Sequence, residues 1–587
     1  MAVLPSPSNT SAPQAQGFEA NLDDLFLRFA VGPGRQMQIN TAPLQAQAIQ
    51  TSETPEDFQQ EFGQIYSRTD FRGGEGLDKA HRREGTPTDF QRFWDSKGIN
   101  VFHADEDTSY SVKLLNDIEQ KTLTFSSDNN YLAQTTNGYM YITDDTDVYQ
   151  STDEGVTWTA MTSTSISYTI HGIAAFGNDL FVVAGDGSTN KQLLSYVQST
   201  DTWTDEVLGS SFIGYFTGIW FAKGGLFVSG KSTTAEYLWE SSPFTKNFSG
   251  DFQSTSALIV TEPTHEFTSV IDAGAVVLAG HTDGNIYSLK IDGGTWSLKG
   301  QTQISFEEIH SLAASEGLVF IGTKGFQSNT GRFFTADLTV ADNLYVLTNR
   351  QLVKQWDNGV DQSPHSMFVT RDSVYMGIHE SATETNLWRY YLPTAGIARD
   401  ISITHSSDSD AKITGITLTG TTVPKFIAVV DGVGVFKETD TYVSTGYIIS
   451  SLADFYTSEK KQWVGAKLNT NGVSSGTVEL ATTTVPLDIN NADSPTWEPQ
   501  ISVASGTGGE EEVLELVQGR WMSVKLTITT SDSSQTPEML SFAVRGFQLV
   551  NDLVVDMPIN ISDQVERPFR KALRINGQGE LIYQALR

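Results

Sequence analysis

A four-residue pattern of apolar and polar positions returns six times along the chain: apolar, then His or Thr, then Gly or Ser, then apolar. The copies are Ile170-His171-Gly172-Ile173, Phe216-Thr217-Gly218-Ile219, Phe267-Thr268-Ser269-Val270, Ile309-His310-Ser311-Leu312, Pro364-His365-Ser366-Met367 and Ile413-Thr414-Gly415-Ile416. In the fifth, proline stands in for the first apolar residue. They start 46, 51, 42, 55 and 49 residues apart. A short apolar run follows each at a steady offset, such as Leu180-Phe181-Val182-Val183, Leu318-Val319-Phe320-Ile321 and Phe426-Ile427-Ala428-Val429. A less perfect first copy surrounds Tyr131-Leu132 and Tyr139-Met140-Tyr141-Ile142. A period of roughly 40–50 residues built from short apolar runs points to a β-propeller with one four-stranded blade per repeat. Seven blades is the count this gives, with six as the alternative.

Outside the repeats the pattern changes. Residues 1–16 carry no charged side chain and include Pro5, Pro7 and Pro13, which reads as an extended arm that orders against a partner. Residues 17–104 read as a small, partly helical docking region. Thr54-Pro55-Glu56-Asp57 combines an N-cap, a proline at the first helical position and acids in the first turn. Phe58, Phe62 and Ile65 then follow on one helical face. Thr86-Pro87-Thr88-Asp89 repeats the device ahead of Phe90, Phe93 and Trp94, with Gly98 placed as a stop. Two short helices bury little alone, so this region is expected to dock on the propeller or on a neighbouring subunit.

The propeller is expected over residues 105–440. Strands without the repeat period follow over 441–550, among them Trp463-Val464-Gly465-Ala466-Lys467-Leu468 and Trp521-Met522-Ser523-Val524-Lys525-Leu526. They read as an antiparallel, jelly-roll-like β-sandwich. The tail, 551–587, holds five basic side chains and one acid between Arg567 and Arg587. Either it attaches to an acidic neighbour or it folds back as a strand on its own chain.

Composition narrows the function classes. A net charge of −32 argues against nucleic acid, whose phosphates need Lys and Arg. With no cysteine, no disulfide supports the fold, which suits assembly in a reducing cytoplasm. No apolar run approaches the roughly 20 residues of a membrane span, and the first residues lack the basic start of a secretion signal.

Ser151-Thr152-Asp153-Glu154-Gly155-Val156-Thr157-Trp158 matches the Asp-box hairpin, S-x-D-x-G-x-T-W, with structural residues Ser151, Asp153, Gly155, Thr157 and Trp158. Asp should accept turn amides, Gly allow positive φ, and Trp pack under the turn. Asp-boxes occur in sialidases, but that chemistry needs three arginines from different blades around one carboxylate. No arginine lies between Arg92 and Arg332, and the remaining candidates within the repeats, Arg332, Arg350, Arg371, Arg389 and Arg399, fall in neighbouring late copies. Gly472-Val473-Ser474-Ser475-Gly476 fits the nucleophile-elbow pattern, yet Thr477-Val478-Glu479-Leu480 continues as strand, so a hairpin turn is expected.

His171, His310 and His365 share the second motif position, which should face the central channel. Thr217, Thr268 and Thr414 fill the same slot, and the histidines are read as belonging to non-adjacent blades. Hydrogen bonding between blades is therefore expected rather than a metal. Asp144, Asp145, Asp147 and Asp153 form the candidate calcium cluster, without the spacing of a known loop. Trp239 and Trp388 occupy third-strand slots and are expected in the core. No catalytic constellation emerges, and the expectation is a protein that is not an enzyme and needs no cofactor.

The flanking segments carry a resemblance. Thr69-Asp70-Phe71-Arg72-Gly73-Gly74-Glu75-Gly76-Leu77-Asp78-Lys79-Ala80-His81-Arg82-Arg83, with Arg92-Phe93-Trp94-Asp95-Ser96-Lys97-Gly98, resembles the N-terminal module of minor tail proteins of long-tailed bacteriophages. Asn560-Ile561-Ser562-Asp563-Gln564-Val565-Glu566-Arg567-Pro568 and the final Leu581-Ile582-Tyr583-Gln584-Ala585-Leu586-Arg587 resemble their closing segment. Together these cover under a quarter of the chain. The resemblance implies a virion component of the tail tip or fibre, made and assembled in the host cytoplasm. Its expected partners are other tail or baseplate proteins and a host-surface glycan or receptor. Homotrimers follow by analogy, with Phe93, Trp94, Arg567, Arg570, Lys571 and Arg574 as assembly candidates. The competing expectations are a lectin-like propeller outside a virion and a propeller glycan lyase or hydrolase.

Overall fold

The computed structural model describes residues 17–22, 25–31, 36–39, 64–76, 92–103, 111–161, 166–206, 212–246, 252–253, 255–341, 343–357, 359–406, 408–419, 424–453, 460–471, 475–485, 487, 495–504, 510–512, 517–548 and 558–560. Every regular element among them is a β-strand.

The repeats fold as seven units of four antiparallel strands, numbered here in chain order. Five are built from consecutive strands beginning at Leu132–Gln134, Thr169–Phe176, Tyr215–Ala222, Phe267–Asp272 and Glu307–Ser315. The sixth unit, Met367–Val369, Ser373–Ser381, Glu384–Tyr391 and Gly396–Thr404, belongs to a larger ten-stranded sheet. The seventh has three late strands, Ile413–Thr419, Lys425–Val430 and Gly434–Tyr442, and takes its fourth, Asn116–Thr124, from before the first unit.

The repeated motif acquires a structural meaning at the start of each first strand. Pairing with the second strand slips at Ile170/Gly172, Phe216/Gly218, Phe267/Ser269, Ile309/Ser311 and Ile413/Gly415. The second motif residue is thus the extra residue of a β-bulge in five units. Regular strands send residues three apart to opposite faces. The bulge resets the phase, so Ile170 and Ile173 share one core, as do Phe216 and Ile219, Phe267 and Val270, Ile309 and Leu312, and Ile413 and Ile416. In the sixth unit Pro364 has no amide to donate, and the strand begins only at Met367.

The cores lie between consecutive units. Each second strand is buried on both faces, which is why it reads as an unbroken apolar run. Leu180 and Val182 pack with the first unit's Tyr141 and Val148, whereas Phe181 and Val183 pack with the third unit's Phe216 and Val228. The series returns on itself: Met140 and Ile142 of the first unit share a core with Ile427, Val429 and Val435 of the seventh and Leu123 of its fourth strand. The first strands follow the same order, each touching the next and the seventh touching the first.

Residues before and after the repeats weave one further body. The ten-stranded sheet continues from Gly396–Thr404 through Gly74–Glu75 and Arg92–Lys97 to Thr445–Ser450, Ser523–Thr529, Thr477–Thr483 and Glu498–Ala504. Opposite it, Lys461–Asn471 and Glu538–Gln548 pair centrally, with Gln64–Arg68 and Val112–Leu114 added to Glu538–Gln548. One core containing Phe71, Phe93, Trp463, Leu480, Leu526 and Phe542 fills the space between the two sheets. At the junction Gly74 pairs in parallel with Ile397. Gly74 has φ +74, and a Cβ there would lie 2.3 Å from the Ile397 amide nitrogen, so only glycine fits.

Several expectations are corrected. Residues 64–103 supply strands to the two-sheet body instead of a separate helical docking region. Ile65 lies in the strand Gln64–Arg68, and Phe93 and Trp94 lie in Arg92–Lys97. Strand pairing on both sides, with Gly74–Glu75 and Thr445–Ser450, overrides the local helical pattern. Phe93 is fully buried, so it is core and not an assembly surface. The rest of the first helix signal, and Thr86 to Phe90, lie outside the described residues, as do Arg567, Arg570, Lys571 and Arg574. Gly17–Leu22, Leu25–Val31, Gln36–Ile39 and Pro558–Asn560 form a four-stranded sheet in which the two ends of the chain pair, Gln36 opposite Asn560.

Candidate functional site

The first strands start at the same end of the units at which the second-to-third-strand connections lie, and the bulge residues sit near that end. Two of their three threonines bond across units, and Thr217 bonds Ser229 and Glu236 of its own unit. The Thr268 hydroxyl donates to the Ile309 carbonyl at 2.9 Å, and the Thr414 hydroxyl donates to the Asn130 carbonyl at 2.5 Å. Bonding between neighbouring units was the expectation for this slot, and Thr268 and Thr414 make it, whereas Thr217 does not.

The histidines depart from expectation. His310 and His365 belong to the adjacent fifth and sixth units, and their ring centroids are 4.6 Å apart, nearly perpendicular. Assigning them to non-adjacent units overlooked that they stand in consecutive copies. His171 lies elsewhere, its ring 6.0 Å from Tyr215.

Around the pair stands a polar cluster. Glu308 Oε2 is 3.6 Å from His310 Nε2, and Asp361 Oδ2 is 3.9 Å from His365 Nε2. Lys324 donates to Asp361 at 3.0 Å. The Ser363 hydroxyl donates to Asp361 at 2.6 Å and lies 2.9 Å from His365 Nε2. With the hydroxyl proton directed at Asp361, the imidazole is the donor to Ser363. A nucleophilic serine requires the reverse.

Burial is the largest influence on His365 and pushes it down to about 4, leaving the ring neutral at neutral pH. Burial opposes ionisation of Asp361, yet hydrogen bonds from His365, Ser363 and Lys324 hold its carboxyl well below the usual carboxylate range.

A second buried centre joins the third and fourth units. Glu236 accepts the Phe267 amide at 3.0 Å and contacts His281 Nε2 at 3.2 Å, while His281 Nδ1 contacts Asp283 at 2.8 Å. Burial alone would lower the His281 pKa, but the bonds to Asp283 and Glu236 prevail and raise it. Asp283 is held down to about 2 against its own burial by the His281 bond and charge.

The Asp-box has the local structure its residues dictate. Asp153 accepts the Val156 and Thr157 amides at 3.2 and 2.9 Å, and the Thr157 hydroxyl at 2.6 Å. Gly155 has φ +79, and its amide donates to the Ser151 hydroxyl at 2.9 Å. Trp158 packs onto the core shared by the first and seventh units. The box therefore braces the place where the series meets itself.

The other candidates separate. Asp144 caps Ser126 and Ser127, Asp145 accepts from Thr169, and Asp153 serves its own turn. Among the described residues no three His, Asp or Glu side chains converge on a metal-binding arrangement. Arg332 pairs with Glu307, Arg389 with Asp400, and Arg399 with Asp95, so these arginines serve different neighbours instead of one carboxylate. Trp239 and Trp388 are core residues. The Gly472–Gly476 segment is no hairpin: the strands it joins, Lys461–Asn471 and Thr477–Thr483, lie in different sheets. Residues 472–474 are outside the described residues.

The sequence signal missed two exposed aromatics beside the cluster. Phe306 is 84% exposed and Phe326 is 51% exposed. A Phe next to a strand looks like the strand's own core residue, and nothing local marks it as outward-facing.

No family model matches the chain, and no curated protein matches it. Among solved structures, 51% of this chain is similar to 94% of a Pseudomonas aeruginosa periplasmic gluconolactonase, at 10% identity and TM-score 0.38. Another similarity joins 56% of this chain to 95% of YCF48 bound to a D1 peptide, at 14% identity and TM-score 0.36. A third joins 55% of it to 92% of a chain of a mitotic checkpoint complex, at 12% identity and TM-score 0.38. Likeness at this level carries no argument about what the chain does.

Proposed function

We propose that the seven units form a seven-bladed β-propeller completed by the strand Asn116–Thr124, and that the protein is a non-enzymatic part of a bacteriophage tail tip or fibre. The cyclic order of cores and first strands supports the propeller. The tail reading rests on the resemblance of the flanking segments. The structural observation set beside it is that the N-terminal flank, through Gly74–Glu75 and Arg92–Lys97, enters one sheet with Thr445–Ser450 from after the repeats, while Gln36–Ile39 pairs with Pro558–Asn560 in a separate four-stranded sheet. Attachment is then the task of the ends, and presentation to a host surface that of the propeller. Self-association, trimeric by analogy, belongs to the same reading, as do tail or baseplate partners.

Immunogold labelling of particles with antibodies against residues 105–440 tests it. Gold confined to the tail end is expected. Particles without gold, with intact antigen in the lysate, would end the tail reading. The second reading, a carbohydrate-binding propeller outside a virion, draws on the exposed Phe306 and Phe326.

A further inference from the structure

We propose that the sheet built from the two ends of the chain is an interface, its apolar face packing against the same face of a second copy of the chain. This gives a place to the self-association in the reading above and rests on that reading for its biological setting.

Strand register sorts the residues of this sheet onto two faces. Residues opposite each other in an antiparallel pair share a face, and faces alternate along each strand. Phe18 stands opposite Phe29, Ala20 opposite Leu27, and Leu22 opposite Leu25. Phe29 stands in turn opposite Ile39, Val31 opposite Met37, and Met37 opposite Ile559. These ten positions fall on one face, and every one is apolar. The other face has Glu19 opposite Arg28 and Asn21 opposite Phe26, and continues through Gln36, Gln38 and Asn560. Such alternation belongs to a sheet with one covered face and one wet one.

Among the described residues these four strands pair only with one another. The other sheets bury their apolar faces elsewhere, the units against each other and the two-sheet body in its own core. A sheet that is apolar on one face must bury it against another layer. Ten apolar side chains, two of them Phe, can bury on the order of 1,000 Å² per copy. A stable interface takes roughly 800 Å² per partner. An identical face supplies that area with matching chemistry, two sheets stacking at roughly 10 Å about a two-fold axis. Neighbouring stretches of the chain match it less well. Residues 1–16 are broken by three prolines, and the helical face expected after Thr54 offers Phe58 and Phe62. Residues 567–587 carry five basic side chains.

The test uses the full chain, its mass read by light scattering and sedimentation over a dilution series. The parent is expected as an oligomer of at least two copies. F29A should raise the dissociation constant at least about tenfold, and L27E/F29E should be monomeric. F26A is the control, since Phe26 is the same residue type on the same strand but on the other face. It should associate as the parent does, and circular dichroism should match across all variants. A monomeric parent, equal effects of F29A and F26A, or an oligomer unmoved by L27E/F29E would each overturn the proposal. An oligomer sensitive to F29A, with no gold on tails, would remove the virion reading and leave this interface standing. Gold on tails with a monomeric chain would do the opposite.

Discussion

Two histidines show how surroundings decide the sign of a titration. His281 sits between Glu236 and Asp283, with Thr261, His265 and Tyr287 also against it, and its pKa is raised. Its stabilising effect is complete below the ordinary value of 6.5 and is lost as pH rises through the folded value. His365 packs against His310, Asp361 and Ser363 and is lowered to about 4. It stabilises above 6.5, and that contribution is lost as pH falls toward 4. His281→Gln should therefore cost more stability at pH 5 than at pH 8. His365→Gln should lessen the parent's loss of stability between pH 6.5 and 4, by on the order of 2 kcal/mol. Denaturant midpoints of both variants across pH 4–8 check this, and parallel profiles for the two would contradict it.

Among elements, the strand Asn116–Thr124 has the largest task. It edges the seventh unit through Glu119 opposite Lys437 and Gln120 opposite Phe436, and sends Leu123 into the core shared with the first unit. Glu119→Pro/Gln120→Pro removes a ladder donor and should cost on the order of 1–3 kcal/mol. Hydrogen exchange in Gly434–Tyr442 should then accelerate well ahead of the third and fourth units. Uniform exchange across all units would refute a local role. How much of this could be read from the chain follows from locality. The repeated motif is legible because its four residues are contiguous, whereas the bulge it forms shows only in the pairing with the second strand. Asp153 was visible because every partner lies within four residues. The strand Arg92–Lys97 was not, since its partners are Gly74–Glu75 and Thr445–Ser450 and its own residues imitate a helix face. The His310–His365 contact was readable in principle from consecutive copies, while the outward turn of Phe306 depends on a backbone angle no residue type announces.

Across the whole molecule, the repeats and the two-sheet body are not separable parts. The sixth unit continues into the outer sheet, and side chains reinforce the seam: Lys354 meets Glu75 at 2.9 Å with both buried, and Lys97 meets Glu384 at 2.8 Å. Arg399 bonds the Ser96 carbonyl at 2.9 Å. Deleting residues 1–104 would remove Phe71, Phe93, Ile99 and Phe102 from the core and leave Lys354 buried without its carboxylate. Such a chain should elute as aggregate and show no cooperative calorimetric transition. The intact protein should melt with its repeats and two-sheet body in one transition. A monodisperse, cooperatively melting deletion would refute the coupling.

The borrowed fourth strand also sets an order of events during synthesis. Asn116 bonds Glu438, 322 residues later. At roughly 5–20 residues per second, the early strand leaves the ribosome some 15–65 seconds before its partner exists. Throughout that interval it is an unpaired edge, and the units emerging behind it stack in a row with no last neighbour. The core shared by the seventh and first units can form only after translation has passed Tyr442, so a pause or truncation before that point releases a chain with two unpaired ends ready to join those of another.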